Sequence, residues 1–146
     1  MRGKAGGPET GTKRAKPVDN SALRHNTGGP GSAGEDTYTL AALVARSFRQ
    51  SVAKGFYDNP RSVGDLLMLI VTEVAEAFEE YRNGSQPGEI YKGADDKPEG
   101  VPVELADVCI RIFDFCGRYD IDLEAVIVQK LDYNLTRSFK HGGKRL

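Results

Sequence analysis

Apolar residues recur at three- and four-residue steps through four stretches of the chain, and nowhere do they alternate steadily with polar ones. Leu40, Leu43, Val44, Phe48, Val52 and Phe56 make one such stripe, which predicts a helix from about Thr37 to Phe56. Asp58, Asn59 and Pro60 break the chain after it. Ser62 is a good cap for a second helix from about Val63 to Arg82, and Asp65 adds favourable charge to its first turn. Asn83 and Gly84 end that helix. A third begins near Val101 and Pro102, where proline suits a first turn, and runs to about Tyr119. A fourth, capped by Asp122, runs from about Leu123 to Ser138. With no alternating segment there is no strand to expect, and the pattern predicts an all-α, four-helix bundle-like subunit. The polar connection NGSQPGEIYKGADDKPEG (83–100) is long for a link between packed helices. It suits either a flap over a substrate or a plain solvated loop.

Composition narrows the class. Residues 1–36 are rich in Gly, Pro, Ser, Asn and Lys, with little large apolar content beyond Val18 and Leu23. Such a segment cannot offset its ordering entropy by burial, so it reads as a disordered N-terminal tail, leaving 37–146 as one domain. Lys13, Arg14 and Lys16 in that tail suit either a polyanion or bulk water. GGPETGTK, ending at Lys13, is not a phosphate loop, because Arg14 stands where Ser or Thr is required and no strand precedes it. The formal net charge is −1 with 28% charged residues, so there is no basic field of the kind that marks nucleic-acid binding, and no nucleic-acid partner is expected. Cys109 and Cys116 stand two helical turns apart, about 10.5 Å along the axis, and cannot pair with each other. No apolar run is long enough to span a bilayer, and a cytoplasmic location is the expectation.

The chemistry lies in the carboxylates. Glu73 and Glu76 stand three apart on the second helix, with Glu80 a turn further, at the margin of the stripe that carries Leu66, Ile70 and Ala77; Glu79 points elsewhere, towards solvent. The third helix repeats the device with Glu104 and Asp107, and Arg111 and Asp114 continue that row. Like charges crowded at a core margin repel and resist desolvation, and a cation between them is the economical remedy. Glu73, Glu76, Glu104 and Asp107 on two facing helices would form an all-oxygen cage suited to Mg²⁺ or Mn²⁺. Zinc is disfavoured because no Cys or His joins the set, and a di-iron bundle because the histidines, His25 and His141, lie in the tails. Nothing resembles an aromatic sugar platform, which weighs against a glycosidase pair. The same spacing also fits two solvated acidic faces bridged to Arg111 and its neighbours.

On the fourth helix Lys130, Asn134 and Arg137 fall on one face, and Lys140, His141, Lys144 and Arg145 follow. Such groups seek phosphate, although a cation in the last turn also complements the helix dipole. Lys130 sits too early in the helix for the dipole to account for it.

Glu73-x-x-Glu76 followed by Glu104-x-x-Asp107 within ELADVCIRIFD resembles the metal motif of the MazG-like nucleotide pyrophosphohydrolases, in the all-α NTP pyrophosphatase superfamily. The closing KLDYNLTRSFKHGGKRL is similar to their C-terminal segment, and the likeness spans roughly Tyr38 to Leu146. The resemblance implies Mg²⁺ held by Glu73, Glu76, Glu104 and Asp107, with phosphates held by Lys130, Asn134 and Arg137. It implies a nucleoside triphosphate, ribo or deoxy, cut to monophosphate and pyrophosphate by a homodimer or homotetramer whose base pocket draws on a neighbouring subunit. Glu76 and Glu73 are the catalytic candidates, Glu76 as base because its side leans to the open rim. Asp65, Arg111 and Tyr81 are at most supporting residues. One departure is Thr72, where many relatives carry a further Glu. Neighbouring readings are an enzyme specific for phosphoribosyl-ATP or dUTP, and a catalytically idle helical regulatory or scaffolding module.

Overall fold

The computed structural model describes residues 38–138. The tail assigned to 1–36, and Lys140, His141, Lys144 and Arg145, lie outside the described residues. Four helices carry the fold: α1 (Leu40–Ala53), α2 (Val63–Arg82), α3 (Val101–Arg118) and α4 (Leu123–Leu135). Their starts follow local capping chemistry. The Thr39 side chain accepts from the Ala42 amide, and Asp122 accepts from the Ala125 amide at 3.0 Å. Ser62 and Asp65 form a reciprocal capping box, which satisfies the exposed amides that open α2. The Asp65 carboxyl is held below its ordinary range by those hydrogen bonds from Ser62, so Asp65 serves the helix end and not the acidic cluster.

Two expectations need correction. α1 and α4 are shorter than the apolar stripes suggested, because the chain turns after Ala53 and after Leu135, and Arg137 therefore falls beyond the helical face assigned to it. The 83–100 connection is neither strandless nor loose. It forms β1 (Tyr91–Lys92) and β2 (Pro98–Glu99), an antiparallel pair in which Tyr91 faces Glu99 and Lys92 faces Pro98. Strands of two residues are too short to produce an alternating signature. A 3₁₀ turn at Ala94–Asp96 joins them, with Asp95 and Asp96 both at positive φ, a region Asp tolerates better than most residues.

The helices are not equally packed. α3 is the centre, lying against α2 on one side and α1 on the other, and the main partner of α4 is α1. The approach of α1 to α3 depends on Gly117: a Cβ there would come within 2.5 Å of the Phe48 Cβ. Among the described residues the buried hydrophobics are Leu66, Ala77 and Cys116, so the fold has a thin core. α2 shows why. Leu66, Glu73 and Ala77 turn inward, while Leu67, Val71, Val74, Phe78 and Tyr81 form a second apolar stripe, spaced four, three, four and three, that stays exposed. α4 likewise exposes Val126, Ile127, Val128 and Leu131. A groove of ≈ 1130 Å³ between α1 and α4, lined in part by Val44, Phe48, Ile121 and Leu123, marks the loose seating of α4. No helix among the described residues is long and apolar enough to cross a membrane.

Candidate metal centre

The α2 and α3 helices pack face to face and bring acids from both to one place. Glu73, Glu76 and Glu104 each offer a carboxylate oxygen, and these atoms lie within 4.8 Å of one another. Glu73 and Glu104 are each only 7% exposed, whereas Glu76 is exposed at the rim. Asp107 stands outside that trio but near enough for the Glu73 charge to act on it. Burial raises the Glu104 carboxyl above its ordinary range, and the charges of Glu76 and Asp107 raise it further. Asp107 is also raised, first by burial and then by Glu73. Two cations answer this. Arg111 Nε donates to Glu73 Oε1 at 2.8 Å, and its guanidinium also lies 5.4 Å from the centre of the Phe56 ring. Lys97, in the hairpin, opposes the rise at both Glu104 and Asp107.

The donor set fits a hard divalent cation. Two oxygens in one Mg²⁺ shell lie at most about 4.2 Å apart, twice a bond of ~2.1 Å. The trio therefore needs only a small inward movement, which the exposed Glu76 is free to make. The donors are all carboxylate oxygens, as Mg²⁺ or Mn²⁺ prefers.

Crowding of this kind has a measurable consequence for the metal-free protein. A carboxyl whose folded pKa lies above its unfolded value contributes fully only below the ordinary carboxylate range, near pH 4. The contribution is lost as pH rises through the raised values of Glu104 and Asp107. Asp65 is shifted the other way, and its contribution changes only below the ordinary range. Metal-free protein is thus expected to be more stable to denaturant at pH 5 than at pH 7.5, with Mg²⁺ removing the difference. Equal stabilities without metal at the two pH values would contradict the crowding.

The hairpin is held beside these acids by its own contacts. Ser85 Oγ and the Tyr91 hydroxyl both donate to Glu80 Oε2 at 2.9 Å, so Glu80 fastens the connection to α2. Burial and the neighbouring Glu80 push the Tyr91 hydroxyl up to about 12. At the other end Gly100 has φ +117 and abuts the Glu89 carbonyl, where a Cβ would lie 2.3 Å from the oxygen, and α3 begins at the next residue. Sequence reasoning missed this arrangement: Glu80 read as a continuation of the acidic row, and Lys97 was one more charge in a polar connection. Two tyrosine and serine hydroxyls near an acidic helix end were the available signal.

The remaining candidates are placed as follows. Thr72 Oγ1 donates back to the Leu69 carbonyl at 2.8 Å and takes no part in the cluster. Glu79 is exposed and pairs with Arg82 at 2.9 Å, and Tyr81 is exposed. Asp114, though in the Glu104 row, turns to Tyr57 instead. Lys130 is exposed with its ammonium 4.9 Å from the centre of the Tyr133 ring; Asn134 is half-buried with an unpartnered Oδ1; Arg137 is exposed. Within the described residues neither Lys130 nor Arg137 forms an ion pair with the four carboxylates. Comparison with family models, with curated proteins and with solved structures returns no match for this chain.

Proposed function

We propose that the protein is a Mg²⁺-dependent hydrolase that cuts a nucleoside triphosphate to its monophosphate and pyrophosphate. One observation carries the reading: Glu73, Glu76 and Glu104, from two helices, converge to within 4.8 Å. Buried carboxylates that repel one another are costly unless a cation joins them. The likeness of these acids to the MazG-like metal motif names the substrate class. Glu73, Glu76 and Glu104, with Asp107 beside them, would hold Mg²⁺, which when bound supplies neutralisation of the triphosphate and polarisation of its phosphorus. Glu76, the exposed member, would accept a proton from a water that attacks the α-phosphorus. The new bond joins water oxygen to phosphorus, the α–β bridging bond breaks, and pyrophosphate carries away its electron pair.

Lys130, Asn134 and Arg137 would bind the phosphates, in an assembly of more than one copy of the chain. The exposed four-three stripe on α2 and the apolar residues of α4 are the surfaces such a copy would cover, in a homodimer or homotetramer. The catalytically idle module remains a second reading on one specific ground: Arg111 already satisfies Glu73 without any metal.

Purified protein incubated with each common NTP and dNTP in Mg²⁺ is expected to release monophosphate and pyrophosphate, and to sediment as a dimer or larger. Absence of both products across the panel would refute the hydrolase, and absence of Mg²⁺ or Mn²⁺ binding by calorimetry would leave the idle module as the better account.

A further inference from the structure

We propose that Phe56, in the turn between α1 and α2, is a positioning residue of the acidic site: its ring holds the Arg111 guanidinium where it engages Glu73 and no other acid. The inference rests on the metal-centre part of the proposed function and deepens it. The end of α1 sets where Phe56 goes. Gly55 takes φ +73, its amide donates to the Val52 carbonyl and the Phe56 amide to the Ser51 carbonyl, each at 3.0 Å, the paired bonds of a Schellman stop. Arg61 closes the turn from its other end: its Nε donates to the Phe56 carbonyl at 2.8 Å, and its guanidinium lies 3.9 Å from the centre of the Phe56 ring. Phe56 and Tyr57 then meet α3 at two points a helical turn apart. The Arg111 guanidinium lies over the Phe56 ring at 5.4 Å, and the Tyr57 hydroxyl donates to Asp114 Oδ2 at 2.7 Å. Residues three apart on a helix share a side, so two consecutive aromatics grip one face of α3. Their own rings pack edge to face, 5.2 Å between centres.

Arg111 needs this support because of its neighbours. Its partner Glu73 shares a 4.8 Å cluster of carboxylate oxygens with Glu76 and Glu104. A long, rotamer-rich side chain with five donors, left unsupported there, would fold onto those oxygens and compete with a cation for them. Held over a ring, it contributes one orienting hydrogen bond instead. The structure has the second arrangement: Nε donates to Glu73 Oε1 at 2.8 Å, and among the described residues Arg111 forms an ion pair with no other carboxylate. Hydrogen bonds of this kind orient a liganding carboxylate towards its metal. Phe56 acts on the site only through Arg111. Phe48 belongs to the same aromatic group, its ring 5.6 Å from that of Tyr57, but packs against Gly117 and is the natural control.

The test titrates the full chain and its variants with Mn²⁺ by calorimetry and records their denaturant midpoints. Phe56→Leu keeps an apolar side chain but removes the ring, and is expected to bind Mn²⁺ about tenfold more weakly. Phe56→Tyr keeps the ring and should recover most of that loss. Arg111→Lys keeps the charge without the planar group and should weaken binding by a similar factor, which gives a readout even if Phe56→Leu does not fold. In an Arg111→Gln background, Phe56→Leu should change the affinity by less than about twofold, because the residue it acts through is gone. Phe48→Leu should lower the denaturant midpoint and leave Mn²⁺ affinity unchanged. A phenylalanine that only packs would give unchanged Mn²⁺ affinity in Phe56→Leu, or an equal loss with and without Arg111, or as large a loss in Phe48→Leu. Any of these, or unchanged affinity in Arg111→Lys, overturns the Phe56 assignment and leaves the metal centre standing. Failure of the unaltered protein to bind Mn²⁺ overturns both. Because the calorimetry needs no turnover, failure to cut any triphosphate would remove the hydrolase and not the role of Phe56.

Discussion

Replacing Glu104 by Gln is expected to lower triphosphate turnover at least about 100-fold while making the metal-free protein more resistant to unfolding. The loss follows from removing a liganding oxygen, since even the groups that only orient metal ligands typically cost 10- to 100-fold. The gain follows from burial and repulsion: the Glu104 carboxylate is only 7% exposed and faces the charges of Glu76, Asp107 and Glu73. An amide of the same shape is spared both penalties. Glu73→Gln should cost as much activity but shift stability the opposite way. Its carboxylate is the partner of Arg111, and the arginine would lose a charge-assisted hydrogen bond at a partly buried position, a cost of about 1–3 kcal/mol. Glu79→Gln, on the solvent side and paired only with Arg82, should leave turnover unchanged. Assays of turnover, calorimetric metal affinity and denaturant midpoints on the three variants separate a metal centre from a solvated acidic face. If Glu104→Gln kept full metal affinity and turnover, Glu104 would have no part in the site.

The parts of this molecule that could be read from its sequence are those encoded over short distances. Ser62 with Asp65, and Asp122 with the Ala125 amide, are contacts within one helical turn, and the helix starts they specify agree with the structure. The pairing of α2 with α3 was also legible, because carboxylates at three-residue spacing on the margins of two apolar stripes are tolerable only if they meet something. Longer-range partners were not. Asp107 and Asp114 look like successive members of the Glu104 row, yet one stays near the acids while the other, two turns on from Asp107, meets Tyr57 from beyond the end of α1. Spacing along a helix states which residues share a side, not what the neighbouring element places against each turn. The hairpin escaped notice for a related reason: its order comes from Glu80 accepting two hydroxyls across the connection, and from a single glycine at φ +117. The outer stripe on α2 was overlooked because Leu66, Ile70 and Ala77 already supplied a face for the core, and a helix with two apolar faces has a weaker single-sided pattern.

The Asp114 pair leads to the largest expected change in stability. Asp114 is only 2% exposed; its Oδ2 accepts from the Tyr57 hydroxyl at 2.7 Å, and its Oδ1 has no partner among the described residues. Tyr57→Phe would leave a buried carboxylate without its hydrogen bond, a penalty at or above the 1–3 kcal/mol of a neutral group. A loss of about 3 kcal/mol is expected, corresponding to a fall of roughly 10 °C in Tm for a chain of this size. Asp114→Asn retains an acceptor for the phenol without the buried charge and should cost far less. Tyr57→Phe combined with Asp114→Leu should cost less than the sum of the separate changes, because each strands the other's group. Alkaline pH gives an independent check. Burial first, then the hydrogen bond and charge of Asp114, raise the Tyr57 hydroxyl above its ordinary range, so the folded state holds it neutral. That contribution is complete below about pH 10, where a free tyrosine ionises, and declines as pH rises towards the raised value. Tyr57→Phe lacks it, so the stability gap between the variant and the unaltered protein should narrow above pH 10. A gap that stays constant with pH, or a Tyr57→Phe variant within about 0.5 kcal/mol of the unaltered protein, would show that this hydroxyl does not secure Asp114.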